Sequence, residues 1–208
     1  MSAALREIRL HQGDLAEDVV LGPEVALDTE TMGLDPRRDR LCLVQLTAGD
    51  GVCHVVQFAR GHYAAPRLTA MLTDPDVLKI FHFARFDVAT ILHHLGVACR
   101  PVYCTKIASK LTRTFTDRHG LKDLCRELLG IELSKQQQLS DWGAEKLSQE
   151  QLAYAASDVL HLHALRARLD ALLLREERRG LAEACFAFLP ARAALDLKGW
   201  EEPDIFAH

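Results

Sequence analysis

Short apolar runs separated by turn residues predict a β-sheet in the first part of the chain. Strands are expected near residues 6–10 and 25–28, and again over 41–47 and 52–58. The last two runs are joined by the tight turn Ala48-Gly49-Asp50-Gly51, which predicts a hairpin. The sheet therefore begins with neighbouring strands in a meander.

Helical and strand patterns alternate in the remainder of the chain. Helices are predicted over 65–73, 84–95, 105–112, 120–130, 148–174 and 181–189, with strands over 77–82 and 102–104. Ser148-Gln149-Glu150-Gln151 has the form of a capping box, and Pro190 is expected to stop the last helix. This order predicts an α/β fold with a mixed central sheet flanked by helices, in a single domain over 1–208.

Composition places the chain among ordinary globular proteins. Its 208 residues are 49% hydrophobic, and no apolar run approaches the ~18 residues of a membrane helix. The start of the chain lacks the features of a signal peptide. Six cysteines without a CxxC pair indicate buried, reduced thiols. We therefore expect a cytoplasmic protein that does not engage a membrane.

Charge limits the kind of nucleic acid that the protein could bind. A net charge of −4 argues against non-specific binding to long polymers, which needs a broad basic surface. Between Lys106 and Arg126, however, six basic residues stand against two acidic ones. This basic island suits a short anionic ligand, and a solvated helix face is the alternative.

Two carboxylates leave the predicted strand at 25–28 together. Asp28 and Glu30 are two residues apart, so in an extended strand they point to the same face. Burying both requires a cation or a proton to neutralise them. Gly33 and Pro36 then turn the chain at the end of the sheet, where ligands of α/β folds bind. An ordinary polar strand exit is the alternative.

Two further acidic positions match this pair. Asp87 lies in the first turn of the helix at 84–95, where a capping role is the alternative. Tyr154 and Asp158 are four residues apart in the helix at 148–174 and therefore share one face, although that face could be solvent-exposed. Four carboxylates without sulfur or imidazole partners suit hard cations such as Mg²⁺ or Mn²⁺. Two such ions can stabilise both oxygens of a phosphoryl displacement, so the chemistry indicates phosphodiester hydrolysis.

Three motifs carry a resemblance to a known family. DTET, HFARFD and YAASD stand in the order and spacing of the ribonuclease D branch of the DEDD superfamily of 3′–5′ exonucleases, in the subgroup with a motif tyrosine. The resemblance implies a ribonuclease H-like 3′–5′ exonuclease fold. It also implies that Asp28, Glu30, Asp87 and Asp158 hold two divalent cations, Mg²⁺ or Mn²⁺, with Tyr154 at the nucleophilic water.

The chain resembles the short nano-RNase C enzymes more closely than it resembles ribonuclease D. It shares the stretches CTKIASKLTRT, TDRHGLK, SKQQQ followed by SDW, and LDLKGW followed by DIFAH. This resemblance implies cleavage of very short RNA, chiefly dinucleotides, by a ring-shaped homo-oligomer, with an octamer as the candidate assembly. An exonuclease acting on longer RNA or single-stranded DNA is the alternative, followed by an inactive nucleic-acid-binding module.

Substrate contacts are expected from several further residues. Leu34 is a candidate wedge between bases, or else a core leucine, and His82 is a candidate contact to phosphate or sugar, or else a bystander. The candidates for a 5′-phosphate contact are Lys106, Arg113, Arg118, His119, Lys135 and Gln138. The apolar tail at 191–208 is expected either to dock on its own core or to pack at a subunit interface.

Overall fold

The protein is described by a computed structural model that covers residues 4–133, 140–202 and 205. The strands are β1 (Glu7–Gln12), β2 (Glu24–Thr31), β3 (Leu41–Thr47), β4 (Val52–Gln57), β5 (Leu78–Phe81) and β6 (Val102–Cys104). The helices are α1 (Pro66–Thr73), α2 (Ala84–Leu95), α3 (Thr105–Thr112), α4 (Leu121–Leu124), α5 (Gln149–Leu160), α6 (Leu162–Arg175) and α7 (Arg179–Leu197). A π-helical turn over Cys125–Leu129 continues α4.

The strands form one mixed sheet in the order β1-β4-β3-β2-β5-β6. The pairs β2–β3 and β3–β4 are antiparallel, as predicted for a meander, but the prediction is wrong for β1, which does not lie beside β2. The pairs β1–β4, β2–β5 and β5–β6 are parallel. The predicted mixed α/β architecture is confirmed, and β2 lies inside the sheet between an antiparallel and a parallel neighbour.

The centre of the sheet is buried because its strands are apolar on both faces. All seven residues of β3 are buried, including Gln45 within the run Leu41–Thr47. Helix α5 packs against β2, β3 and β4 through small residues such as Ala155 and Ala156. This packing fixes the position of α5 relative to the end of β2.

The predicted helix at 148–174 is wrong as one continuous element. The capping box at Ser148 is present, but the helix ends at Leu160 and α6 begins at Leu162. His161 forms the junction between the two helices, with φ −103° and ψ −3°, as the C-cap of α5 and the N-cap of α6. The break lets α5 pack on the sheet while α6 packs against α3, so tertiary packing overrides the local helical pattern.

The prediction that Pro190 ends the last helix is also wrong. Helix α7 continues through Pro190 to Leu197. A proline inside a helix removes one backbone hydrogen bond, but Phe186, Leu189 and Ala193 are buried on both sides of it. Residues 191–197 of the predicted tail therefore belong to α7, whereas Trp200 is 48% exposed.

The cysteines follow the prediction with one exception. All six are free thiols, and five of them are buried. Cys185 is exposed on α7, so its prediction as a buried residue is wrong. Among the helices that the structure describes, none is both long enough and apolar enough to cross a membrane.

A buried carboxylate fastens the end of α7 to α2. Asp196 is 7% exposed and accepts hydrogen bonds from Arg85 of α2 at 2.6 and 2.8 Å. Arg192, one turn earlier on α7, donates to the same carboxylate at 2.6 and 3.0 Å. The network joins the C-terminal helix to the helix that carries Asp87.

We expect Asp196→Ala to lower the free energy of unfolding by about 2–3 kcal/mol, because it removes the anion between two guanidinium groups. Urea denaturation measures this difference. The matched control is Glu183→Ala, which removes the exposed i,i+4 pair with Arg179 on the same helix and should change stability little. Equal effects of the two substitutions would contradict the assigned role of Asp196.

Candidate active site

The end of β2 and one face of α5 bring three carboxylates together. Asp28 and Glu30 lie on β2, and the β2–β3 register shifts directly after Glu30. Asp158 approaches from α5. One oxygen of each carboxylate lies within 4.8 Å of the other two, which is close enough for a single cation to bind all three.

Asp87 stands beside this group and is fixed by β2. Its Oδ1 accepts hydrogen bonds from the Thr29 backbone N–H at 3.1 Å and from Thr29 Oγ1 at 2.7 Å. Asp87 is only 3% exposed and does not belong to the group of three. Thr29 lies between Asp28 and Glu30, so α2 and β2 are locked together at the site.

Burial and mutual repulsion raise the carboxylate pKa values. Burial, followed by the neighbouring carboxylates, raises the pKa of Glu30 to about 9 and that of Asp28 well above its ordinary value. Burial also raises the pKa of Asp87 and of Asp158 to about 7. The ionised carboxylates therefore repel one another, and their all-oxygen donor set fits hard divalent cations, which would relieve that repulsion.

Tyr154 lies at the edge of the carboxylate group. Burial and the charges of Asp158, Glu30 and Asp28 raise the pKa of its phenol above the ordinary value. Its hydrogen bond to Asp158 lowers the pKa of that carboxylate. The phenol therefore keeps its proton and acts as a hydrogen-bond donor at the site. The ring also lies against Trp142, with centroids 6.0 Å apart.

A cavity of about 590 Å³ opens over these groups. Asp28, Glu30, Tyr154 and Asp158 line it. Its wall also includes Leu34, which is 87% exposed and is therefore not a core leucine. The volume is within the range of ~300–1,000 Å³ that is typical of small-ligand sites.

His82 lines the same cavity, and its hydrogen bonds define its tautomer. Its Nδ1 lies 2.9 Å from Thr105 Oγ1, and that hydroxyl donates to the Phe81 carbonyl at 3.2 Å. The hydroxyl proton is thus in use, so Nδ1 carries the hydrogen and donates it. Burial lowers the pKa of His82 to about 3, so the ring is neutral and Nε2 is a hydrogen-bond acceptor.

The predicted phosphate-binding residues are not among the described residues that line this cavity. Arg113 is buried and pairs with Glu127. The Lys106 ammonium lies over the Phe83 ring, 4.0 Å from its centroid. His119 Nδ1 lies 2.8 Å from Ser109 Oγ.

The other predicted phosphate-binding residues are Arg118, Lys135 and Gln138. Arg118 is exposed, and its carbonyl accepts a hydrogen bond from Arg113. Lys135 and Gln138 lie outside the described residues.

Sequence reasoning missed several residues at the site. Lys122 lines the cavity and is the basic residue placed there within the described ranges. Thr29 fixes Asp87, and Gln45 donates to Asp28 Oδ2 at 2.7 Å. Gln45 could have been found from the sequence, because it is an amide inside an otherwise apolar strand. A buried polar side chain needs a hydrogen-bond partner.

Comparison with known proteins agrees with this geometry. A sequence profile described as 3′–5′ exonuclease matches residues 11–174. The chain belongs to the 3′–5′ exonuclease family. Ribonuclease D of Gluconacetobacter diazotrophicus is 39% identical over 158 residues, which are 76% of this chain and 39% of that protein. The chain thus spans about two fifths of the length of this exonuclease relative.

Solved structures show the same relationship. Brucella melitensis NrnC bound to pGG is 55% identical, with a TM-score of 0.93, and the match covers 99% of this chain and 100% of that one. NrnC with bound Mg²⁺ has a TM-score of 0.92 at 55% identity, covering 98% and 100% of the two chains. Escherichia coli RNase D is 25% identical with a TM-score of 0.71, covering 82% of this chain and 45% of that one. The resemblance to ribonuclease D and nano-RNase C, and the exonuclease fold, are confirmed.

The raised pKa values predict how stability depends on pH without metal. Carboxylates with folded pKa values of about 7 to 9 hold protons that the unfolded chain releases near pH 4. The contribution of these groups to the free energy of unfolding is therefore fully present below about pH 4 and is lost as pH rises from there through the folded pKa values of about 7 to 9. Asp158→Asn removes one of the repelling charges. The free energy of unfolding of this variant should therefore fall less steeply with pH than that of the wild-type protein.

Thermal melts in EDTA between about pH 5 and pH 9 measure the two slopes. Mn²⁺ should restore the stability of the wild-type protein at the alkaline end, and should restore much less in Asp158→Asn. Parallel pH profiles for the two proteins would contradict the electrostatic account.

Proposed function

We propose that the protein is a metal-dependent 3′–5′ exoribonuclease that hydrolyses very short RNA, chiefly dinucleotides, to nucleoside monophosphates. The observation that carries this proposal is the group formed by Asp28, Glu30 and Asp158 on the floor of a small cavity. The match to NrnC bound to pGG supports a short substrate, and the NrnC structure with Mg²⁺ supports a divalent cation.

Each carboxylate has a proposed role in holding two cations, Mg²⁺ or Mn²⁺. Asp28, Glu30 and Asp158 would hold one ion, and Asp28 with Asp87 would hold the second, directly or through water. When bound, the ions supply Lewis-acid activation of the water and stabilise charge on the leaving oxygen. Water adds to phosphorus, the bond from phosphorus to the 3′-oxygen breaks, and that oxygen takes up a proton.

The remaining residues would position the substrate. Tyr154, which lines the cavity beside Asp158, orients the attacking water by hydrogen bonding. His82 accepts a hydrogen bond from a sugar hydroxyl through Nε2, and Leu34 inserts between the bases. Lys122 is the basic group of the described cavity wall, and we assign it a charge-assisted contact with phosphate.

A homo-oligomer is part of the proposal, with a ring-shaped octamer as the candidate assembly, and so is a cytoplasmic location. Light scattering tests the assembly, since a molar mass of 23.2 kDa at every concentration would exclude it. Ribonuclease D relatives favour a second candidate function, which is exonuclease action on longer RNA or single-stranded DNA.

Substrate length separates the two candidate functions. We compare kcat/KM for a 5′-phosphorylated two-mer, a seven-mer and a longer strand, each as RNA and as DNA. The proposal predicts the highest value for the RNA two-mer, because the similar protein NrnC binds the short ligand pGG. Equal or greater values for the longer strands would favour ribonuclease D-like processing.

Two substitutions separate binding of the cations from positioning of the water. Asp28→Asn should lower kcat by on the order of 10³-fold or more, because it removes a ligand shared by both ions. Tyr154→Phe should cost only roughly 10–100-fold, because it removes a hydrogen bond to Asp158. Initial rates on the RNA two-mer at saturating Mn²⁺ measure both effects. Near-normal activity of Asp28→Asn would contradict the assignment.

A further inference from the structure

A buried amide contacts the candidate cation site from the neighbouring strand. Gln45 on β3 lies directly opposite Asp28 in the antiparallel β2–β3 register. It is 0% exposed, within a strand whose seven residues are all buried. Burial of an amide costs free energy that an apolar side chain would avoid, so packing alone is a poor explanation for a glutamine here.

The amide nitrogen is directed at Asp28. Gln45 Nε2 donates to Asp28 Oδ2 at 2.7 Å. Gln45 Oε1 is buried without a partner among the described residues. With Asp28 ionised, as cation binding requires, turning the amide over would place this oxygen against a negative charge, so the ionised site favours the donor orientation.

The donor is uncharged, which matters for a cation site. A lysine or arginine at this position would neutralise Asp28 and Glu30 and compete with a divalent ion for them. A neutral amide restricts the rotation of the Asp28 carboxylate while leaving its negative charge available. Such hydrogen bonds from residues behind metal ligands orient them and typically contribute 10–100-fold to affinity or activity.

We propose that Gln45 is a positioning residue of the cation site, whose amide orients Asp28 so that its free oxygen converges with those of Glu30 and Asp158. The inference rests on the proposed cation-dependent function. It adds a residue of β3 to the site, and this residue belongs to none of the three sequence motifs.

The chain offers a matched control on the adjacent strand. Gln57 on β4 is 6% exposed, donates to the Ala144 carbonyl at 2.9 Å and accepts from Gln12 at 3.0 Å. It is a buried glutamine of the same sheet whose described side-chain hydrogen bonds, including one to the Glu145 backbone carbonyl at 3.4 Å, do not involve a carboxylate. Replacing it tests the general cost of removing a buried amide.

The experiment is calorimetric titration of metal-free protein with Mn²⁺, in the wild-type protein and in Gln45→Met, Gln45→Asn and Gln57→Met. Methionine keeps the length of the side chain without its donor, and asparagine moves the donor away by one methylene. We expect the Kd for Mn²⁺ to rise roughly 10–100-fold in Gln45→Met and to stay unchanged in Gln57→Met. If Gln45→Met does not fold, Gln45→Asn decides, with a rise in Kd in the same direction.

Kinetics on the RNA two-mer add a second measurement. Saturating Mn²⁺ should recover most of the lost kcat in the Gln45 variants, with KM for the two-mer unchanged. Wild-type Mn²⁺ affinity in both Gln45 variants would overturn the inference, as would equal losses in Gln45→Met and Gln57→Met. Failure of the wild-type protein itself to bind Mn²⁺ would instead overturn the proposed function.

Discussion

Three carboxylates within 4.8 Å of one another impose the constraint on which the site depends. Asp28, Glu30 and Asp158 repel one another, and burial strengthens the repulsion because water is excluded. The chain tolerates this arrangement because apolar packing of α5 on β2, β3 and β4 fixes the backbone independently of the acids. A divalent cation relieves the repulsion, and a proton does so at lower pH.

Strand order explains how distant segments reach one point. Because β2 lies between β3 and β5, its end is bordered by an antiparallel and a parallel neighbour. Strand β5 leads into α2, which delivers Asp87 to Thr29 of β2. Strand β3 delivers Gln45 to Asp28 from the other side. Helix α5 completes the site, which therefore takes side chains from four elements, namely β2, β3, α2 and α5.

Local spacing was sufficient to predict the parts of the site that lie on single elements. The i,i+2 pair Asp28 and Glu30, and the i,i+4 pair Tyr154 and Asp158, follow from strand and helix periods alone. Most strands and the mixed sheet were also predictable from the periodic pattern of apolar residues. Their convergence in space is a property of the fold, which the motif resemblance supplied.

Long-range packing determined what local patterns could not predict. The break at His161 and the continuation through Pro190 depend on what each helix packs against. The basic island between Lys106 and Arg126 was judged by charge, yet Arg113 is buried against Glu127 while Lys122 reaches the cavity. Sequence gives the sign of a side chain's charge, and the surrounding elements decide where that charge lies.

The most direct test is diffraction from crystals soaked in Mn²⁺, recorded at the manganese absorption edge. The account predicts an anomalous peak bounded by Asp28, Glu30 and Asp158 in the wild-type protein, and loss of that peak in Asp158→Asn. Wild-type crystals in which Mn²⁺ avoids these three carboxylates would contradict it.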